Sequence, residues 1–263
     1  MHSASMKMAR GRTAGILAHF RERCHLSHSA AEPRHANGLL LGIGAAVVYA
    51  DAAPDGGYNM GLYNDHVLPH VINLSMSNRE LRQYRQRVIS RAEGRVLEIG
   101  IGSGLNLPFY GPHVQEVLGL EPAARLLAMA QRAASESRQA VEFIAGSAEA
   151  IPIEDQSIDT VVTTWTLCSI PNAIGALHEM RRVLKRGGQL LFVEHGLAPE
   201  IRVQRWQHRL TPVWKKIGGG CHLNRPIRAL IEGAGFDIAR LETGYMKGPK
   251  PMTFMYEGRA KPQ

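Results

Sequence analysis

Residues 96–104 read Val-Leu-Glu-Ile-Gly-Ile-Gly-Ser-Gly, and the reading of this stretch decides the fold. A short apolar run with no polar alternation is the pattern of a strand buried on both faces, as in a parallel sheet. It runs straight into a turn in which Gly100, Gly102 and Gly104 allow positive φ and close approach of the backbone to a ligand. Working outward, Val/Ile/Leu-rich runs recur at 95–99, 116–120, 141–145, 159–164 and 188–194, and helical periodicity fills the gaps between them. That alternation predicts an α/β fold wound on a mostly parallel sheet. Two further strands are expected at 236–241 and 253–257, joined by a Gly/Pro-rich loop.

The spacing of the glycine turn narrows the ligand. A dinucleotide fingerprint places its last two glycines three apart around a pyrophosphate, whereas Gly104 comes one residue early. Glu98 stands two positions before the first glycine, where it meets a cationic amino group. S-adenosylmethionine (SAM) carries such a group, and nicotinamide and flavin nucleotides do not call for one. The run Val117-Leu-Gly-Leu120 ends at Glu121, about twenty residues past the turn, the place at which an acid accepts ribose hydroxyls. Pro122 follows, suited to the first turn of a helix.

With these residues the chain resembles the class I SAM-dependent methyltransferases of the small-molecule type, over roughly residues 60–260. The resemblance rests on Val96–Asn106, Gly119-Leu-Glu-Pro122, Gly146-Ser-Ala-Glu-Ala-Ile-Pro152, Ser157-Ile-Asp-Thr-Val-Val162 and Leu184-Lys-Arg-Gly-Gly-Gln-Leu190, in that order. It implies a Rossmann-like seven-stranded, mostly parallel sheet with helices on both faces and the last strand antiparallel. It also implies SAM as cofactor, with Glu98, Gly100, Gly102, Ser103, Gly104, Asn106, Glu121, Pro122 and Thr164 around it. Ser147, Ala148 and Glu149 fall on the adenine motif, although Ser147 occupies the position where an aspartate is usual.

The acceptor is sought after the fourth strand, in Thr163-Thr-Trp-Thr-Leu-Cys-Ser-Ile-Pro171. Methyltransferases that act on base or amide nitrogen carry Asn or Asp, then Pro-Pro and an aromatic, at this turn. Nothing in the chain matches, which argues against such an acceptor despite the net charge of +8. Leu167-Cys-Ser169, Phe192-Val-Glu-His195, Gln204-Arg-Trp-Gln207, Pro212-Val-Trp214 and Gly220-Cys-His-Leu-Asn-Arg225 resemble the branch of animal alkyl-thiol S-methyltransferases and their bacterial relatives. That branch implies a small apolar acceptor, first a thiol. Quinol, phenol and phospholipid-amine acceptors are the enzyme alternatives, and a catalytically silent SAM-binding module is the alternative of another class. His195, at the end of the fifth strand, is the expected catalytic residue, taking a proton from the acceptor thiol or stabilising its anion. Tyr63, His66, Cys168, Trp206 and His222 are the expected acceptor-pocket residues, Tyr63 and His66 from a helical segment over 60–90 that covers the cofactor. Within that segment Arg79, Arg82, Arg85, Arg87 and Arg91 read as a solvated basic face.

Hydrophobic residues make up 44% of the chain and charged residues 21%, the composition of an ordinary globular domain. Residues 56–263 are assigned to that domain. Residues 1–55 read as a basic N-terminal extension. Its first 35 residues carry six Lys or Arg against two Glu, four of the net eight positive charges. The apolar stretch 38–48 is shorter than the roughly twenty residues a membrane helix needs. A targeting element, a peripheral anchor and a translated upstream region remain alternatives to a plain extension. Cys24, Cys168 and Cys221 lie far apart, without paired spacing, so no metal site or disulfide framework is expected. Cys168 reads as a small packed hydrophobe. The expected setting is cytoplasmic, with peripheral membrane contact left open and no specific nucleic-acid partner.

Overall fold

The computed structural model describes residues 67–263. Tyr63, His66 and the basic extension lie outside the described residues. Two helices lead in: α1 (Leu68–Met76) and α2 (Arg79–Ile89). They are separated at Asn78, whose side-chain oxygen accepts from the Leu81 N–H at 3.0 Å and starts α2 as an N-cap, a contact worth about 1 kcal/mol. There follow β1 (Gly94–Ile99), β2 (Val114–Glu121), α3 (Ala124–Ala134), β3 (Ala140–Ala145), β4 (Ile158–Thr164), α4 (Ala173–Val183) and β5 (Leu184–His195). The C-terminal part adds α5 (Ile201–Ile217), α6 (Ile227–Gly233), β6 (Phe236–Tyr245), the one-turn α7 (Lys250–Thr253) and β7 (Phe254–Pro262).

The strands form one seven-stranded sheet in the order β3-β2-β1-β4-β5-β7-β6. The β1–β2, β1–β4, β2–β3 and β4–β5 pairs are parallel, and β7 runs antiparallel to both β5 and β6. All seven expected strands are present, the last two longer than their apolar cores suggested. The Lys185–Gly188 turn is absorbed into β5 as a bulge, since Ile158 pairs with Leu184 while Thr160 already pairs with Gln189. Lys185 Nζ reaches Asp159 Oδ1 across it at 2.7 Å.

Strand alternation divides the core between the two faces of the sheet. Leu97, Ile99, Leu118, Leu120, Val161, Leu190 and Phe192 pack with α4 and α6 on one face. Val96, Val117, Val162, Leu191 and Val193 pack with Val88 and Ile89 of α2 and Ala130 of α3 on the other. Strand order reverses between β1 and β4, so the loops leaving their carboxyl ends diverge to opposite sides and leave a crevice. Open α/β sheets bind ligands at such a crevice.

Candidate active site

The loop after β1 carries the glycines that the sequence singled out, and all three adopt positive φ: Gly100 +66°, Gly102 +58° and Gly104 +83°. Their surroundings differ. A Cβ on Gly102 would find nothing nearer than the Gly100 carbonyl at 3.9 Å, so this position faces open space. A Cβ on Gly104 would meet Ala133 Cβ and Leu107 Cδ1 at 3.1 Å. Gly104 therefore packs the loop on α3 and is not among the residues that line the cavity at the strand ends.

A cavity of about 840 Å³ opens along the carboxyl ends of the strands, within the usual size range of small-molecule sites. Glu98, Gly100, Gly102, Ser103, Asn106, Glu121, Pro122, Ser147, Ala148, Thr164, Cys168 and His195 all line it. Glu121 accepts from the Gly102 N–H and the Ala123 N–H, both at 3.0 Å. That bracing fixes the carboxylate at the strand end, and burial still raises its pKa. Glu98 is 1% exposed and accepts from Asn106 Nδ2 and Tyr110 OH, each at 2.7 Å. Burial pushes Glu98 up to about 7, against those two hydrogen bonds and the nearby Arg85. The missing Cβ of Gly102 and the two carboxylates at successive strand ends fit a ligand with a ribose and a cationic amino group.

Other expected site residues lie elsewhere. Glu149 is outside the cavity wall: its Oε1 accepts from the Asn172 N–H at 2.6 Å, at the start of α4. Trp206 is 55% exposed on α5, where Arg209 lies 5.8 Å from its ring centre. One helical face further along, Trp214 lines the cavity in its place. His222 is also set back, because its Nδ1 lies 3.0 Å from the Cys168 carbonyl and 3.3 Å from Arg225, so its ring braces the turn after β4.

The basic face expected on α2 is not uniformly solvated. Arg85 is 3% exposed, stacks 4.7 Å from the Trp165 ring centre, donates to the Met76 carbonyl at 2.9 Å and lines the cavity. A desolvated cation over an indole contributes on the order of 2 kcal/mol. Trp165 itself has φ +52°, uncommon for a bulky residue, and its N–H donates to the Val193 carbonyl at 2.7 Å. Only the strand-end position of Trp165 hinted at a place in the site, and nothing in the sequence distinguished Arg85 from its neighbours.

Beyond the cofactor cradle, Cys168, His195 and Cys221 converge from the turn after β4, the end of β5 and the loop after α5. Their ligand atoms all lie within 4.8 Å of one another. His195 Nε2 is 2.9 Å from Cys221 Sγ, and Trp214 Nε1 donates to the same sulfur at 3.3 Å. The main chain sets this up: the His222 N–H donates to the Cys168 carbonyl at 2.8 Å, tying the α5 loop to the β4 turn. Gln207 in turn takes the Ala198 N–H and donates to the Gly196 carbonyl, both at 2.9 Å, fastening the end of β5 to α5. The neighbouring Cys221 thiol holds Cys168 well below the ordinary thiol range, against burial and with help from His195. Burial lowers His195, but Cys168 and Glu194 outweigh it and raise the imidazole.

Fold and site together define a class: an α/β protein whose strand ends carry a positive-φ glycine turn and two buried carboxylates on the wall of one cavity. The profile of a family described as a methyltransferase domain matches residues 97–192. The chain is 38% identical over 154 residues to the thiol S-methyltransferase TMT1B of Rattus norvegicus, covering 57% of this chain and 63% of that one. It is 32% identical over 194 residues to the Homo sapiens TMT1B, covering 69% and 78%. A solved SAM-dependent methyltransferase from Methanosarcina mazei shares the fold with a TM-score of 0.54 at 20% identity, covering 70% of this chain and 97% of that one. The chain belongs to the SAM-dependent methyltransferase family.

Proposed function

We propose that the protein transfers the methyl group of SAM to small apolar thiols. The observation that carries this reading is the continuity of one cavity from the Glu98–Gly102–Glu121 cradle to Cys168, His195 and Cys221. Similarity to the rat and human thiol S-methyltransferases supports it. Leu68 and Ile72 of α1, with Met246, Met252 and Met255, give the acceptor end apolar and adaptable walls. Bound SAM supplies a sulfonium methyl group for in-line displacement. The chain aligns the acceptor, excludes water and favours the thiolate, which is the nucleophilic form. His195 is the residue assigned to stabilising that thiolate. The test is transfer of labelled methyl to a panel of an alkyl thiol, a phenol, a quinol and an aminophospholipid. Label on the thiol alone is expected, and label only on another acceptor overturns the assignment.

In this reading Glu98 meets the cofactor's ammonium group, which stabilises the carboxylate. The free protein holds Glu98 up to about 7, so binding below that pH must expel a proton. SAM affinity should therefore rise as pH increases toward about 7 and level off above it, with proton release seen calorimetrically in buffers of different ionisation enthalpy. Glu98→Gln should remove the rise. For the free protein the sign is opposite: a raised carboxyl contributes stability at low pH that is lost as pH climbs through about 7.

The mouth of the cavity favours acceptors delivered from an apolar phase. Trp206, Leu210, Val213 and Ile217 are 55%, 39%, 64% and 52% exposed and fall on one face of α5 at spacings of four, three and four. Arg202, Arg205, Arg209, Lys215 and Lys216 share the helix, which has no acid. Such a helix suits peripheral contact with an anionic bilayer, and no helix of the described residues is long and apolar enough to cross a membrane. Co-sedimentation with vesicles containing phosphatidylserine should fall in Trp206→Ser/Val213→Ser, and fall with added salt. Equal sedimentation of the variant would remove α5 from the contact.

A further inference from the structure

We propose that Cys168, His195 and Cys221 form a binding site for a thiophilic divalent cation of the zinc class, with its fourth coordination position open to the acceptor cavity. Among the described residues this is the one group of three such side chains whose ligand atoms close to within 4.8 Å. Two sulfurs and one imidazole nitrogen are the donor set of catalytic Cys2His zinc sites, which keep a position free for water or substrate. Zinc–sulfur bonds near 2.3 Å and zinc–nitrogen bonds near 2.0 Å at tetrahedral angles place the donors about 3.5–3.8 Å apart. The donors of the present cluster, all within 4.8 Å of one another, need to close by at most about an ångström, while His195 Nε2 and Cys221 Sγ, now 2.9 Å apart, must separate by roughly half an ångström.

The surroundings agree with a built site. The donors come from three elements locked by the Cys168–His222 and Gln207 hydrogen bonds. Trp214 Nε1–H points at the Cys221 sulfur, the kind of contact that orients and tunes a thiolate ligand. Glu194 precedes His195 and is fully buried. Its Oε1 accepts from Thr163 Oγ1 at 2.8 Å and from the Thr166 N–H at 3.1 Å, while Oε2 has no partner. An orphaned buried carboxylate oxygen is costly, and a dication close by offsets that cost. All three donors line the cavity, so the open side faces the chamber where the acceptor is received.

The role of the metal rests on the thiol-acceptor reading, although the site itself does not. An entering thiol becomes the fourth ligand and its S–H proton passes to solvent. The metal-held sulfur then forms a bond to the methyl carbon as the sulfonium carbon–sulfur bond breaks and its electron pair returns to the cofactor sulfur. The product is a neutral thioether, a weak ligand that leaves.

The test is anaerobic titration of the reduced, metal-free full chain with Co2+ alone, followed by Zn2+. A thiolate-to-cobalt charge-transfer band with intense tetrahedral ligand-field bands, saturating at a single equivalent and erased by zinc, is the expected result. Cys168→Ser and Cys221→Ser should each lose charge-transfer intensity while far-UV circular dichroism, measured in the same preparations, stays unchanged as proof of folding. Cys24→Ser should leave the spectrum untouched. Absence of the band, or its persistence in both site variants, overturns the proposal. Methylation of an alkyl thiol by chelator-treated protein that shows no cobalt band overturns the metal and leaves the thiol reading intact. Stoichiometric cobalt binding without thiol methylation by the zinc-loaded protein upholds the site and removes the thiol reading.

Discussion

Gly102→Val is expected to abolish SAM binding in a protein that still folds. The native backbone at this position has φ +58°, and the missing Cβ faces open space. An isopropyl group there projects into the volume assigned to the cofactor instead of into the core. The left-handed conformation adds a penalty of about 1–2 kcal/mol for a side chain, tolerable for the whole domain but borne by the loop that must hold the ligand. A loss of at least about a hundredfold in affinity, ~2.7 kcal/mol, should appear in calorimetry, with far-UV circular dichroism unchanged. Gly104→Val supplies the contrast. Its side chain would meet Ala133 and Leu107 at 3.1 Å and the Ala130 backbone at 3.3 Å, so its first effect is a lowered Tm. Normal SAM binding by a folded Gly102→Val protein would detach the cofactor from this loop.

His195→Ala should reduce kcat for thiol methylation by about 10²–10³-fold, because the residue assigned to stabilising the acceptor thiolate is lost. SAM affinity should stay within a factor of about two, well under the 1.4 kcal/mol of a tenfold change, because His195 lies beyond the cradle formed by Glu98, Gly102 and Glu121. The variant keeps the β5–β7 pairing intact, since the His195–Met255 register is made by backbone groups. The readout that separates catalysis from architecture is the pH profile. Wild-type activity toward a high-pKa alkanethiol should persist at neutral pH, whereas the variant should recover only as pH approaches the thiol's own ionisation. An unchanged profile would reassign the thiolate-stabilising role to another residue.

The cofactor half of the site was far more legible than the acceptor half. Glu98, Gly102 and Glu121 sit at strand ends or in the turn directly after a strand, where local sequence dictates both backbone conformation and direction. Once the strands pair in register, these residues are side by side. Glu149 and Gly104 show the limit of the same logic: each lies in the right motif, but a nearby helix terminus claims the carboxylate of one and helix packing claims the face of the other. Trp206 and Trp214 differ by eight residues on one helix, and only the rotation of α5 against the sheet decides which indole meets the cavity.

By itself the sequence determined the alternating α/β pattern, the buried parallel strands and the positive-φ glycine turn, together with the two acids that suit SAM. All of these are set by residue-to-residue periodicity and backbone sterics. Tertiary structure alone decided that Arg85 is buried over Trp165, that Trp214 and not Trp206 lines the cavity, and that Cys168, His195 and Cys221 share one corner. Those residues are 26 and 27 positions apart along the chain, and no local periodicity relates them. Their meeting depends on the crossover from β4 through α4 to β5, and on hydrogen bonds that close the α5 loop back onto the β4 turn.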